Sequence, residues 1–237
     1  MVGFIKNLLN KNEIMKKNIF FICILIAGLS FSSCKKTLDS ENVSTGMANY
    51  PNIVMNGDQY ITILVGQTYT DKGATASSGV TDITSTMTTE GSVDINTPGV
   101  YTITYSVTND EQRSLSTTRY IGVITPAAAA MDISGTYVRV LDNNPARVNN
   151  VVKKDYPGLY TIDNPGGTRN NVEGDAPYFV TIYMWQTDAG IVVVPPQSTA
   201  LGTFAVTSGT YTAATQRLAW KVSNQYFGTG VRTFAKQ

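Results

Sequence analysis

The stretch Thr97-Pro98-Gly99-Val100-Tyr101-Thr102-Ile103-Thr104-Tyr105-Ser106-Val107-Thr108 carries a period of two. A Pro-Gly turn opens it. Tyr101, Ile103, Tyr105 and Val107 then point one way, and Thr102, Thr104 and Ser106 the other. That pattern predicts a strand with one face in a core and one in water. Asn109-Asp110-Glu111-Gln112 closes a hairpin, and Ser114 to Ile124 is the returning strand. Tyr60–Val65 is a further β-rich segment that stops at Gly66. Short strands separated by turns over 50–125 predict a β-sandwich.

The same region resembles a known repeat. Val65-Gly66-Gln67-Thr68-Tyr69-Thr70-Asp71-Lys72-Gly73-Ala74-Thr75-Ala76 is similar to the opening of the bacterial immunoglobulin-like repeat of pesticidal crystal proteins and many surface proteins. Asp82-Ile83-Thr84, Thr97–Tyr105 and Thr118-Arg119-Tyr120 continue the pattern in order. The resemblance implies an immunoglobulin-like domain acting as a spacer. The family often has an Asp-Gly-Asp turn before Ile-Thr. Here it reads Val80-Thr81-Asp82, so no carboxylate calcium site is expected.

Thr125-Pro126-Ala127-Ala128-Ala129-Ala130 reads as a linker, long enough for one helical turn and too short to hold it alone. Strand candidates then recur over 131–237: Thr136–Leu141, Val148–Lys153, Gly158–Ile162, Tyr178–Trp185, Ile191–Val194, Gly202–Thr207, Thr210–Ala214, Arg217–Val222 and Val231–Ala235. Gly, Pro and Asn stand between them, which predicts an antiparallel meander, either a barrel or a sandwich. The fold class expected is therefore all-β, an immunoglobulin-like sandwich followed by a second antiparallel β domain. Ile133-Ser134-Gly135-Thr136-Tyr137 resembles the start of lipocalin-like bacterial domains.

At the N-terminus Met15-Lys16-Lys17 precedes an apolar run, Ile19 to Leu29, and the small residues before Cys34. This is the layout of a secretory signal peptide over 1–33, with Met15 as the expected start, and the run falls short of the ~20 apolar residues of a bilayer span. Ser32-Ser33-Cys34 resembles a bacterial lipobox, with Phe31 where an aliphatic residue is usual. The resemblance implies lipidation at Cys34, a tether over 34–49 and membrane attachment through the lipid.

Of the two cysteines, Cys23 lies in the signal segment, so no disulfide is expected. Removing residues 1–33, with four Lys and one Glu, turns the formal charge of +1 slightly negative. No basic field is left for nucleic acid. The absence of histidine excludes Ser-His-Asp and Cys-His nucleophiles and the commonest zinc ligand. No enzyme activity, metal or cofactor is expected.

The densest aromatic segment is Tyr178–Trp185. Tyr178, Val180, Ile182 and Met184 form its core face. Phe179, Thr181, Tyr183 and Trp185 form the other, which is either exposed or buried in its turn. If exposed, Tyr183 and Trp185, with Gln186 and Asp188 after them, form a sugar-binding surface, because a pyranose packs its C–H face on an aromatic ring. Tyr226 and Phe227 are rim candidates, and Trp220, alternating with Leu218 and Val222, is a core residue. The acids Asp155, Asp163, Glu173, Asp175 and Asp188 fall in loops, and Lys153-Lys154 reads as a solvated pair.

The two-domain layout, with Val193-Val194-Pro195-Pro196-Gln197 and Trp220-Lys221-Val222, resembles Bacteroidetes lipoproteins found with outer-membrane glycan-uptake systems. It implies a non-catalytic cell-surface protein of the outer membrane. Extracellular polysaccharide would be its ligand and uptake proteins its neighbours. A protein-contacting surface subunit and a lipocalin-like carrier of an apolar ligand are the alternatives.

Overall fold

The alternation of Tyr101–Val107 builds the centre of the first domain. In the computed structural model, which describes residues 49–140, 148–169, 179–228 and 230–237, β6 (Gly99–Thr108) buries Ile103, Tyr105 and Val107. Its other face pairs hydroxyls with β7 (Ser114–Ile124): Thr104 with Thr118 at 3.2 Å, Ser106 with Ser116 and Thr108 with Ser114 at 2.8 Å. Two sheets face each other across this core. One has the order β2 (Tyr60–Leu64), β7, β6, β5 (Thr88–Glu90), with β2 parallel to β7. The other is β1 (Pro51–Met55), β3 (Ala74–Ser78) and β4 (Thr81–Asp82). Cys34, the signal segment, the tether up to residue 48, and Glu173, Asp175 and Tyr178 lie outside the described residues.

The residues that carry the immunoglobulin-like pattern meet inside the sandwich. Arg119 is 1 % exposed and pairs with Asp71. All its nitrogens are used: Nη1 also donates to Tyr105 Oη at 2.8 Å, Nε to the Asp58 carbonyl at 3.1 Å, and Nη2 to the carbonyls of Asn56 at 2.8 Å and Gly73 at 3.2 Å. Burial raises the Asp71 pKa, but hydrogen bonds from Tyr105, Arg119 and Tyr69 outweigh it and hold the carboxyl below its ordinary range.

The second domain is a closed barrel of eight strands. They are β8 (Gly135–Arg139), β9 (Val148–Lys153), β10 (Leu159–Ile162), β11 (Ile182–Asp188), β12 (Ile191–Thr199), β13 (Gly202–Thr212), β14 (Arg217–Ser223) and β15 (Val231–Lys236). Each pairs antiparallel with the next, and β15 closes on β8. Closure leaves no sheet edge. Alternate residues fill the interior: Tyr137, Tyr160, Ile162, Ile182, Met184, Phe204, Leu218, Trp220 and Phe234 are all at most 1 % exposed. Trp220 is thus core, with its indole N–H on the Pro165 carbonyl at 3.0 Å. An interior filled with rings gives no support to the carrier alternative.

Several boundaries differ from the sequence expectation: the strand expected over Tyr178–Trp185 is Ile182–Asp188, with Phe179 to Thr181 preceding it. Gly202–Thr207 and the expected strand from Thr210 are one strand ending at Thr212, with Ala213–Thr215 a 3-10 turn, because Ser208 at φ +56° makes a bulge rather than a turn, and the pairing with β14 shifts between Thr207 and Thr210. Likewise β12 continues past Val194 through Pro195 and Pro196, where the β13 register shifts. Prolines bring no N–H to a ladder. The Gln197 amide supplies what β12 lacks: its Oε1 accepts from Tyr183 N at 2.9 Å and its Nε2 donates to Tyr183 O at 2.7 Å. Replacing Gln197 by leucine strands two polar groups, and a loss of about 2 kcal/mol in urea unfolding is expected. An unchanged midpoint would mean that water replaces the amide.

Candidate functional site: the cleft between sandwich and barrel

On β7, Ile121 and Val123 face the sandwich core, so Tyr120, Gly122 and Ile124 face outward. On β11, Ile182 and Met184 face the barrel core, so Tyr183 and Trp185 face outward. The two outward faces meet. Trp185 is fully buried, its indole N–H on the Ile61 carbonyl at 3.2 Å and its ring over Gly122, where a Cβ would collide with it. At Gly158 (φ +67°) an added Cβ would come within 2.9 Å of Ile124 Cδ1 and the Gln186 carbonyl. Tyr120 Oη donates to the Pro196 carbonyl at 2.9 Å, and Thr125 N to the Thr187 carbonyl at 3.0 Å.

The linker is therefore held. Thr125 caps α1 (Pro126–Ala129) by accepting from Ala128 N at 3.2 Å, and its hydroxyl donates to Asp188 at 2.8 Å. Sandwich and barrel belong to one compact unit. The expectation of a simple spacer is corrected on this point: the first domain buries the barrel's outward aromatic face.

At the open side of this junction lies a cleft of about 280 Å³, near the lower end of ordinary ligand sites. Asp58, Gln59 and Tyr60 come from the sandwich. Lys154, Asp155 and Tyr156 come from the β9–β10 turn, Leu159 from the start of β10 and Tyr183 from β11. Tyr183 stacks on Tyr60, ring centroids 3.7 Å apart and planes at 15°, and Tyr60 runs near-parallel to Tyr120. Burial, with the neighbouring Tyr120 and Tyr183, pushes the Tyr60 hydroxyl up to about 12. Tyr156 Oη donates to Asp58 Oδ2 at 2.5 Å across the domain boundary, and that bond raises the Tyr156 pKa, with burial adding to it. The Tyr60 and Tyr156 phenols are thus neutral at physiological pH. The cleft combines aromatic rings with two carboxylates, an amide and an ammonium group.

Of the five sequence candidates for ligand contact, the structure brings only Tyr183 into this cleft. Trp185 and Gln186 are corrected: both are fully buried and offer no open surface. The Ig-like domain covers the first, and Gln186 donates to the Ala189 carbonyl at 3.0 Å. Asp188 holds the linker, and hydrogen bonds from Ala189 N and the Thr125 hydroxyl lower its pKa. Tyr226 is exposed after β14 and does not line the cleft.

The sequence reading missed Asp58, Gln59, Tyr60 and Tyr156 as site residues. A signal for them exists in the outward Tyr60 and Tyr120, which imply a covering partner. A hollow of about 480 Å³ on the outer face of β13 and β14 is larger, but it is lined by one aromatic, Phe227, and no acid. Among the described residues no three His, Cys, Asp or Glu side chains form a metal-binding group, and no helix is long and apolar enough to cross a membrane.

No curated protein matches the chain. Among solved structures it is similar to a lipoprotein from Bacteroides thetaiotaomicron, 23 % identical over 79 % of this chain and 100 % of that one, with a TM-score of 0.37. A second likeness is to the segment of Clostridium perfringens ZmpB that holds its catalytic domain and two CBM51 domains. It is 14 % identical over 51 % of this chain and 15 % of that one, with a TM-score of 0.29. Neither likeness bears on what this chain does. Residues 53–123 match the family model of the Ig-like domain of bacterial surface proteins.

Proposed function

We propose that the protein is a non-catalytic, lipid-anchored cell-surface protein that binds extracellular glycan in the cleft between its two domains. The observation that carries the reading is the cleft itself: Tyr60, Tyr156 and Tyr183 lie beside Asp58, Gln59, Lys154 and Asp155. Apolar ring surface with a few convergent polar groups is what a sugar face with peripheral hydroxyls requires. The lipobox-like Ser32-Ser33-Cys34 and the surface-type Ig-like domain support the placement outside the cell.

Affinity electrophoresis of the purified protein through gels containing plant, host or microbial polysaccharides tests it. Retardation by one polysaccharide class is expected. Tyr156→Ala should weaken it at least about tenfold, roughly 1.4 kcal/mol. Tyr226→Ala, outside the cleft, should leave it unchanged. Retention of full binding by a folded Tyr156→Ala variant would remove the cleft as the site. Release of new reducing ends during incubation would overturn the non-catalytic assignment.

A further inference from the structure

We infer that the cleft selects uncharged, hydroxyl-rich sugars and excludes acidic ones, with Asp58 and Asp155 as the specificity-determining residues. The inference rests on the glycan-binding reading. Of the charged side chains lining the cleft, two are carboxylates, one from each domain, and one is an ammonium, Lys154. A carboxylate accepts hydrogen bonds and donates none, so its natural partner is a hydroxyl. A uronate or sulfate brought to the same place meets like charge.

The acid from the sandwich is fixed in position. Tyr156 Oη holds Asp58 Oδ2, and Arg119 holds the Asp58 carbonyl from inside the sandwich. Arg119 also binds the carbonyl of Asn56, so the segment leading into Gln59 and Tyr60 is tied to a buried cation. A carboxylate held in this way keeps its place at the cleft when a ligand arrives. The tyrosine rings supply the contact that does not depend on charge, and the acids decide which sugars are allowed to use it.

The test compares retardation by a neutral β-glucan, a mannan and a xylan with that by polygalacturonate and chondroitin sulfate, at low and at high salt. A preference of at least tenfold for a neutral polymer is expected at low ionic strength. It should narrow as salt screens the repulsion. The Asp155→Asn variant should narrow it further without loss of fold, and Asp155→Lys should reverse it for polygalacturonate. Binding of polygalacturonate or chondroitin sulfate as tightly as any neutral polymer would overturn the inference and leave the glycan reading standing. Absence of retardation by every polymer would overturn both. A preference that Asp58→Asn and Asp155→Asn together leave unmoved would take the specificity away from these acids.

Discussion

Replacing Trp185 by alanine is expected to cost about 3–5 kcal/mol and to uncouple sandwich from barrel. The indole is fully buried although its strand places it on the outside of the barrel. Its surroundings belong largely to the other domain: the Ile61 carbonyl, Gly122, and the rings of Tyr60 and Tyr120, with centroids 6.1 Å and 6.3 Å away. The cavity left by truncation would lie in the middle of the joint. The docking would then rest on the linker contacts at Thr125 and Asp188 and on peripheral bonds such as Tyr120 to the Pro196 carbonyl and Tyr156 to Asp58.

The wild type should unfold in one urea transition. Trp185→Ala should show two, with faster proteolysis near residues 125–135. Gly122→Val should give the same result from the other side, because its side chain would occupy the indole's place. A single transition at an unchanged midpoint in both variants would mean that the domains are coupled elsewhere. Glycan retardation should fall in parallel, since Tyr60 and Tyr183 share a wall only while the domains stay docked.

How far these features can be read from sequence depends on whether they are local. The Tyr101–Val107 alternation and the Leu218-Trp220-Val222 face are set by a strand's period of two, and the structure has both as read. Pro195-Pro196 reads as a strand end because proline lacks the ladder donor. The strand continues only because a side chain two residues from Pro195, Gln197, takes the place of a peptide group. Ser208-Gly209 reads as a turn for the same reason a bulge needs it, a backbone that leaves the extended region.

The outward face of β11 was the undecidable case. An aromatic pair on a strand's second face fits a sugar platform as well as a domain interface, and only the partner settles which. The cleft is harder still, since Tyr156 and Tyr183 come from separate segments of the barrel and Asp58 joins them only when sandwich and barrel dock.

Replacing Arg119 by methionine is expected to cost about 3 kcal/mol or more. Removing one partner of a buried pair costs roughly 3–5 kcal/mol, and the lower end applies because the Asp71 side chain keeps a quarter of its surface in solvent. The variant also strands the carbonyls of Asn56 and Asp58, whereas the Gly73 carbonyl keeps the Asn56 N–H at 3.0 Å.

The pH dependence has a definite sign. The folded state holds Asp71 below its ordinary value of 3.8, so its contribution is present above that value and is lost as pH falls through the folded pKa. Asp71→Asn cannot titrate. The stability gap between wild type and Asp71→Asn should therefore be widest near neutrality and shrink as the solution is acidified below about pH 4. A gap that stays constant to pH 2 would mean that the pair contributes through packing alone. Because Arg119 anchors Asp58, the Arg119→Met variant should lose glycan retardation under conditions where it is still folded. Asp71→Asn, which leaves the Arg119 bonds to Asn56 and Asp58 in place, should lose less. Equal losses would mean that the variants act through global stability and that the arginine has no positioning role at the cleft.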